Sequence, residues 1–382
     1  MIAIMLIFTI ALSFSFVGTR VVRDVAINTG FVAVPKADRA HTEVTALMGG
    51  VAIYTASIVA LLVIAAVTTV FLGTKLGVAE FLAIISAASL MSAIGLWDDR
   101  KALPARFKLL AQFVPAIFVY LAGVQVSLPG ISDPILSNIV NFMITICWLL
   151  YITNAINYLD NADGTAVMTC ATASAIFLLI AVLNGQQLVS ILAASLLGAS
   201  LGFARYNLPL PRSTIFMGDS GSLFLGFLLA ILGIKIRIPV NDAIITWMVP
   251  VLVLGLPIFD TTLVFISRRR RGVSFFRGGV DHITHRLARL GMDKLSVALT
   301  VSLITGTLGL IAVFVTQAVF YEAYIILGTI LAVAIYILWH IEFKASYALR
   351  TGQAVPFQPE NTITKELNKE KIAMNAKKYI DG

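Results

Sequence analysis

About eleven apolar windows recur along this chain, each near the roughly 20 residues an α-helix needs to cross the hydrocarbon core of a bilayer. They fall at 1–17, 46–72, 79–97, 109–123, 136–154, 166–183, 188–203, 223–234, 243–266, 295–316 and 320–341, bounded by charges or by Gly, Pro and Asn clusters. In lipid every backbone N–H and C=O must find a partner within its own segment, so such a pattern folds as packed helices. Of the 382 residues 59% are hydrophobic and 13% charged, where soluble domains run near 45–50% and roughly 25%. That composition excludes a soluble globular domain, a disordered chain, a collagen-like repeat and a disulfide scaffold. Cys147 and Cys170 lie inside apolar runs and read as small buried hydrophobes. The expected fold is all-α: a polytopic membrane protein with about eleven transmembrane helices.

The net charge of +8 finds its explanation in where the cations sit. The first window has no Lys or Arg before it and has Arg20 and Arg23 after it, the reverse of a cleavable signal peptide, so it reads as a retained anchor with its N-terminus outside. Threading the windows in alternation leaves only Lys75, Lys235 and Arg237 on the outer side and the other 25 of 28 Lys and Arg inside. The C-terminus is then cytoplasmic, in a cell membrane crossed many times, and the basic excess reports topology with no nucleic-acid partner. The chain divides into an integral membrane unit, 1–341, and a basic cytoplasmic tail, 342–382, which reads as solvated, with a helix on the anionic leaflet as the other option. Outer loops are short; the inner ones hold nearly all the polar residues, so a polar substrate would be handled at the cytoplasmic face. The sequence leaves room for a homodimer.

Ionisable groups at membrane depth are costly and point to function. Asp98 and Asp99 close the third window, a seat for Mg²⁺ or a proton acceptor, unless they pair with Arg100 and Lys101. The fifth window ends in Asn154-Ala-Ile-Asn157-Tyr-Leu-Asp160-Asn161-Ala-Asp163-Gly164. Helical spacing places Asn157, Asp160 and Asp163 on one ridge with no cation in the run, which favours a bound cation or a donor-rich ligand such as a nucleotide. From Asn207 the chain runs through Arg212 to Gly218-Asp219-Ser220-Gly221-Ser222, a turn opening a helix whose free N–H groups suit a phosphate, with Asp219 fit to share Mg²⁺ with it. A later loop carries Arg268 to Arg271, Arg277, Asp281-His282, His285 and Arg286. The arginines are topology determinants first, and the histidines offer phosphate ligands that also carry a proton. A zinc site competes weakly, since only His41 and His340 remain as further histidines. Lys36, Arg39 and His41 before the second window are further groups for an anionic substrate, and Asp260 lies about 12 Å deep as a structural acid or part of the site.

In order, Gly95-Leu-Trp-Asp98-Asp99, Asn154 to Gly164, Phe216-Met-Gly-Asp219-Ser-Gly-Ser and Asp281-His282 to His285-Arg286-Leu resemble the motifs of the polyprenyl-phosphate N-acetylhexosamine-1-phosphate transferases, over about residues 36–290. The arrangement is similar to the undecaprenyl-phosphate N-acetylglucosamine-1-phosphate branch. The chain departs from the family pattern at Thr284, where a middle histidine is usual, and at Asn161, where glycine is usual. The resemblance implies transfer of a sugar 1-phosphate from a UDP-sugar to a polyprenyl phosphate with Mg²⁺, or Mn²⁺, releasing UMP and starting a cell-envelope glycan such as lipopolysaccharide or teichoic acid. It implies catalytic roles for Asp98, Asp99, Asp160, Asp219 and His282, with Asp219, Asp98 and Asp99 at the metal. Substrate contacts would come from Asn154, Asn157, Asp163, Lys36, Arg39, His41, Asn207, Arg277, His285 and Arg286. Two alternatives stand: the phospho-N-acetylmuramoyl-pentapeptide transferase of peptidoglycan synthesis, and, from another class, a secondary transporter, which calls for acids at the bilayer midplane, broken helices and an internal repeat.

Overall fold

A computed structural model describes residues 1–33, 44–72, 78–239, 243–274 and 279–345. Its helices, in chain order, are α1 (Ile2–Asn28), α2 (Gly49–Leu72), α3 (Val78–Arg100), α4 (Ala105–Leu121), α5 (Pro134–Leu159), α6 (Thr165–Leu183), α7 (Gln187–Asn207), α8 (Gly218–Lys235), α9 (Ala243–Val253), α10 (Gly255–Arg270), α11 (Ile283–Arg289), α12 (Lys294–Val315) and α13 (Phe320–Trp339). A π-helical turn, His340–Ala345, ends the described chain. Two short strands, β1 (Val32–Ala33) and β2 (Thr45–Ala46), form an antiparallel pair.

Among the described residues nine helices are long and apolar enough to cross a membrane, and α9 with α10 makes a tenth as one span bent by 71°. The expected eleven is not reached. The window at 109–123 forms α4, only 17 residues long with Pro115 inside it. The window at 243–266 is broken at Leu254, with Pro250 just before the break and Gly255 and Pro257 just after it. Pro removes a helical N–H and crowds the preceding turn, which accounts for the break at Leu254; α4 runs on through Pro115 and stops before Gly123, whose φ is +97°.

Helix α8 is the axis of the bundle, apolar all round and packed by α2, α3 and α5, with Phe224 and Phe227 fully buried. Glycines set the closest helix approaches. A Cβ on Gly226 of α8 would stand 2.9 Å from the Thr153 backbone of α5, and one on Gly95 of α3 would stand 2.3 Å from the Asp219 carbonyl oxygen. On α7, Gly198 and Gly202 admit the backbone of α1, and the Ser15 hydroxyl donates to the Ala199 carbonyl at 2.6 Å.

Backbone pairing sets the entry of α8. Ala46 bridges Ile215, the Phe216 N–H donates to the Ala46 carbonyl at 2.8 Å, and the Gly50 N–H donates to the Met217 carbonyl at 2.7 Å. The first turns of α2 and α8 are therefore held together. Lys36, Arg39 and His41 fall between β1 and β2, outside the described residues, as do Arg277 and residues 346–382.

The glycine packing makes a direct prediction. Gly198→Ala places a Cβ 2.4 Å from the Phe8 carbonyl oxygen, and overpacking of this kind costs about 1–3 kcal/mol. Its melting temperature in detergent should fall, while Gly18→Ala, which meets nothing within 4 Å, should leave it level or higher.

Candidate active site

Asp98, Asp99, Asn154, Asn157, Asp160, Asp163, Asp219, His282, His285 and Arg286 all lie at one end of the bundle, at the C-terminal ends of α3 and α5, the N-terminal ends of α6 and α8, and in α11 with the residue before it. Residues spread over nearly 190 positions of sequence thus meet because alternate helix ends face the same way.

The centre is built on Asp99. Its carboxylate accepts from the Asp219 N–H at 2.8 Å and the Ser220 N–H at 3.0 Å, capping α8 from a different helix. Free N–H groups and the helix dipole favour a carboxylate there. Gly218 is required twice over: its φ is +73°, and a Cβ would stand 2.7 Å from the Asp99 carboxylate. Asp219 then faces Lys108. Its Oδ2 accepts from Lys108 Nζ at 2.6 Å and its Oδ1 from Asn157 Nδ2 at 2.6 Å. Lys108 also pairs with Asp98 Oδ2 at 2.9 Å and donates to Asn157 Oδ1 at 3.2 Å. Asn157 donates to Ser222 Oγ at 2.8 Å, and Asp98 Oδ1 accepts from the Leu103 N–H at 2.6 Å. One ammonium thus offsets two carboxylates in a partly buried site where they would otherwise repel.

By sequence Lys108 counts only as one of the inner cations that set topology. A finer signal was present: Lys108 and Gln112 are four apart on α4, hence on one face, and Gln112 exchanges hydrogen bonds with Asn154. A cavity of about 580 Å³ opens here. Its polar wall is Asp98, Lys108, Asn154 and Asn157, and its apolar wall includes Leu109, Cys147 and Leu150. Tyr151 ties its α5 side to α10 by donating to the Ile258 carbonyl at 3.3 Å.

The α5–α6 corner carries the next group. Asp160 keeps some accessible surface, yet desolvation by the surrounding protein, then the charges of Asp219, Asp99 and Asp163, push its carboxyl well above the usual range. Asp163 Oδ2 pairs with Lys294 Nζ at 2.8 Å. Asn207 is buried, its amide accepting from the Gly164 N–H at 3.1 Å and donating to the Ile215 carbonyl at 3.0 Å, so it joins the end of α7 to the start of α6. Thr284 Oγ1 donates to Asn161 Oδ1. The two positions that depart from the family pattern therefore touch each other.

His282 precedes α11 and packs 6.5 Å, ring to ring, from Tyr158, which also lines the cavity. The buried Asp260 receives His282 Nδ1 at 2.7 Å and the Ile283 N–H at 2.7 Å. Asp260 therefore orients the ring with its Nε2 turned from the carboxylate. Burial, then the neighbouring His282 and Arg289, lower His285 below the ordinary histidine value, so it is neutral at pH 7. Behind the histidines, Asp281 receives Arg268 Nε at 3.1 Å and Arg271 Nη2 at 2.6 Å. Arg286 donates to the Asp281 carbonyl at 2.9 Å and to Glu342 Oε2 at 2.8 Å.

Among the described residues no three His, Cys, Asp or Glu side chains gather as a ready-made metal cage. Mg²⁺, however, is commonly held by one or two carboxylates plus substrate phosphates and water. Asp98, Asp219 and Asn157 Oδ1, all converging on Lys108 Nζ, form an all-oxygen donor set that fits that mode. Both oxygens of Asp99 already accept backbone N–H groups.

Residues 81–237 match the profile of the family described as glycosyl transferase family 4. The chain is 30% identical over 307 residues to a Bacillus subtilis protein named "Probable undecaprenyl-phosphate N-acetylglucosaminyl 1-phosphate transferase", covering 80% of this chain and 82% of the relative. It is 28% identical to a Mycolicibacterium smegmatis "Decaprenyl-phosphate N-acetylglucosaminephosphotransferase", covering 84% of each. A Bacillus mycoides "Phospho-N-acetylmuramoyl-pentapeptide-transferase" is 30% identical over 207 residues, 50% of this chain and 61% of the relative.

The Asp281 pairs predict how acid acts on this loop. Burial raises the Asp281 carboxyl, but hydrogen bonds from Arg271 and Arg268 outweigh it and hold the group below its ordinary value. Stability from a carboxyl depressed in the folded state is present above its unfolded value and is lost as pH falls through the folded one. Thermal melts of the wild type should therefore drop more steeply below about pH 4 than those of Asp281→Asn, which should start lower at pH 7 and stay flatter.

Proposed function

The chain belongs to glycosyl transferase family 4, and from that premise we propose that it transfers N-acetylglucosamine 1-phosphate from UDP-N-acetylglucosamine to a polyprenyl phosphate. The products are UMP and a pyrophosphate-linked lipid sugar, a starting unit for cell-envelope glycan. The observation that carries this reading is the cavity whose polar end is Lys108 with Asp98 and Asn157 and whose remaining wall is apolar. That amphipathic shape suits a phosphate on an isoprenoid. The positive-inside distribution of Lys and Arg supports a site at the cytoplasmic face of the cell membrane.

A phosphate monoester has a second pKa of about 6 and is mostly a dianion at pH 7, so the acceptor is already nucleophilic. Its oxygen attacks the β-phosphorus of the donor, the bond from that phosphorus to the bridging oxygen breaks, and UMP leaves with the bridging oxygen. No general base is needed. The barrier is repulsion between two anions, which catalysis lowers by positioning and charge. Lys108 meets the incoming phosphate at the cavity. Asp98 and Asp219, with Asn157 Oδ1, are the residues that would hold Mg²⁺. When bound, that ion neutralises phosphate charge between donor and acceptor.

Asp99 acts one step behind, fixing Asp219 by capping α8. Asn157 orients Asp219, and Asn154, braced by Gln112, completes the polar wall. Asp160, its carboxyl raised by burial and by the neighbouring acids, and Asp163 form the corner that would take the nucleotide. His282, locked on Asp260, directs Nε2 toward the donor pyrophosphate, with His285 as a neutral neighbour. Lys36, Arg39, His41 and Arg277 remain proposals for anion contacts.

The test is UMP release by purified protein with Mg²⁺ and undecaprenyl phosphate. UDP-N-acetylglucosamine should support it. Asp219→Asn and Lys108→Met should each lower kcat by roughly 100-fold or more, the scale of losing a preorganised charged group, with the fold retained in a thermal melt. Release only from the N-acetylmuramoyl-pentapeptide donor would move the chain to peptidoglycan synthesis. A detergent-solubilised protein that releases no UMP from either donor would refute the transferase reading and return the question to transport.

A further inference from the structure

Among the described residues six arginines crowd the loop that carries the histidines: Arg268, Arg269, Arg270, Arg271, Arg286 and Arg289. Asp281 accounts for two of them. A second acid arrives from more than 50 residues downstream. Glu342, in the π-helical turn after α13, is 4% exposed, with Oε1 on Arg270 Nη1 at 2.8 Å and Oε2 on Arg286 Nη2 at 2.8 Å. Arg270 also donates to the Glu342 backbone carbonyl at 2.5 Å and lies 4.1 Å over the Phe343 ring. Leu338 and Ile341 pack against the buried cluster of Leu256, Leu263, Ile283 and Val301, so the C-terminal end of α13 is seated on α10, α11 and α12.

A buried carboxylate shared by two guanidiniums fixes both. Arg286 is the one that matters for the site. Its Nε donates to the Asp281 carbonyl, the residue before His282, and its Nη2 reaches Ser267 Oγ at 3.3 Å. The path runs from Glu342 through Arg286 to the Asp281 backbone and so to His282 on Asp260. We propose that Glu342 is a positioning residue for the transferase: it holds Arg286 so that the His282–His285 segment keeps its place over the donor's pyrophosphate. The proposal rests on the transferase reading above. Without the Glu342 charge, Arg270 and Arg286 repel each other, Arg286 loses its hold on the Asp281 carbonyl, and the donor side of the site loosens while the acceptor cavity between α4 and α5 is untouched.

The experiment compares full-length wild type, Glu342→Gln, Glu342→Asp and Arg270→Gln, each purified in detergent. KM and kcat are measured for UDP-N-acetylglucosamine and for undecaprenyl phosphate, beside a thermal melt. Glu342→Gln should raise the donor KM by roughly fivefold or more and lower kcat, with the acceptor KM moved less than about twofold. Glu342→Asp should recover part of the loss, and Arg270→Gln should shift the same constant in the same direction. If Glu342→Gln does not fold, the donor KM of the other two variants decides. An unchanged donor KM in an active enzyme, or a fall in kcat alone matching the fall in folded fraction, overturns the proposal and leaves Glu342 as an anchor for α13. A wild type without UMP release fails the transferase reading itself, and this inference with it.

Discussion

Two neighbouring carboxylates at the end of α3 have opposite tasks, and the site depends on that division. Asp99 spends both oxygens on the N–H groups that open α8, while Asp98 turns to Lys108. The first interaction fixes where α8 begins and hence where Asp219 stands. The second gives Asp219 and Asp98 a shared cation, which offsets the repulsion of two adjacent acids in a partly desolvated place. Gly95 and Gly218 make this possible by leaving no Cβ between α3 and the first turn of α8. The site is therefore a consequence of helix packing: remove the close approach of α3 and α8, and the carboxylates lose their mutual geometry before any substrate is considered.

The arrangement separates a rigid half from a loop-borne half. Asp98, Asp99, Lys108, Asn157 and Asp219 stand on helices packed around the buried α8, where neighbouring side chains restrict their rotamers. His285 and Arg286 stand on a short helix and His282 just before it, a segment held by charge, with Asp260 and Asp281 supplying the anchors. Tyr158 and the Asn161–Thr284 hydrogen bond are where the halves meet. In a transfer between two anions, this division suits a fixed point of charge on one side and an adaptable phosphate-holding segment on the other.

Hydropathy made most of the spans legible, because burial in an apolar phase imposes the same pattern on every helix. It overcounted where length and apolarity parted: the window at 109–123 forms α4, a helix of only 17 residues, and 243–266 bends sharply at Leu254. It also started α8 late, at 223. Gly218 to Ser222 is polar and Gly-rich and reads as a loop, yet it is helical because its first N–H groups are satisfied by Asp99 from another helix. A cap supplied across the fold leaves no local signature.

The same limit governs the side chains. Asp98, Asn157, Asp219 and the histidines were visible because acids, amides and imidazoles at span ends have no cheap structural excuse. Their partners were not. By sequence Lys108 reads as one more inner cation, Asp260 as a structural acid or part of the site, and Glu342 as the first residue of a solvated tail. Each is a counter-charge, and a counter-charge is defined by distance rather than by motif: Lys108 faces the acids of α3 and α8, Asp260 faces a histidine 22 residues on, and Glu342 faces arginines 72 and 56 residues back. In a membrane protein this pairing is obligatory, because an unpaired ion in a dry site is far more costly than at a wet surface. Sequence alone locates the groups that need a partner; the packing of helix ends selects which distant residue answers.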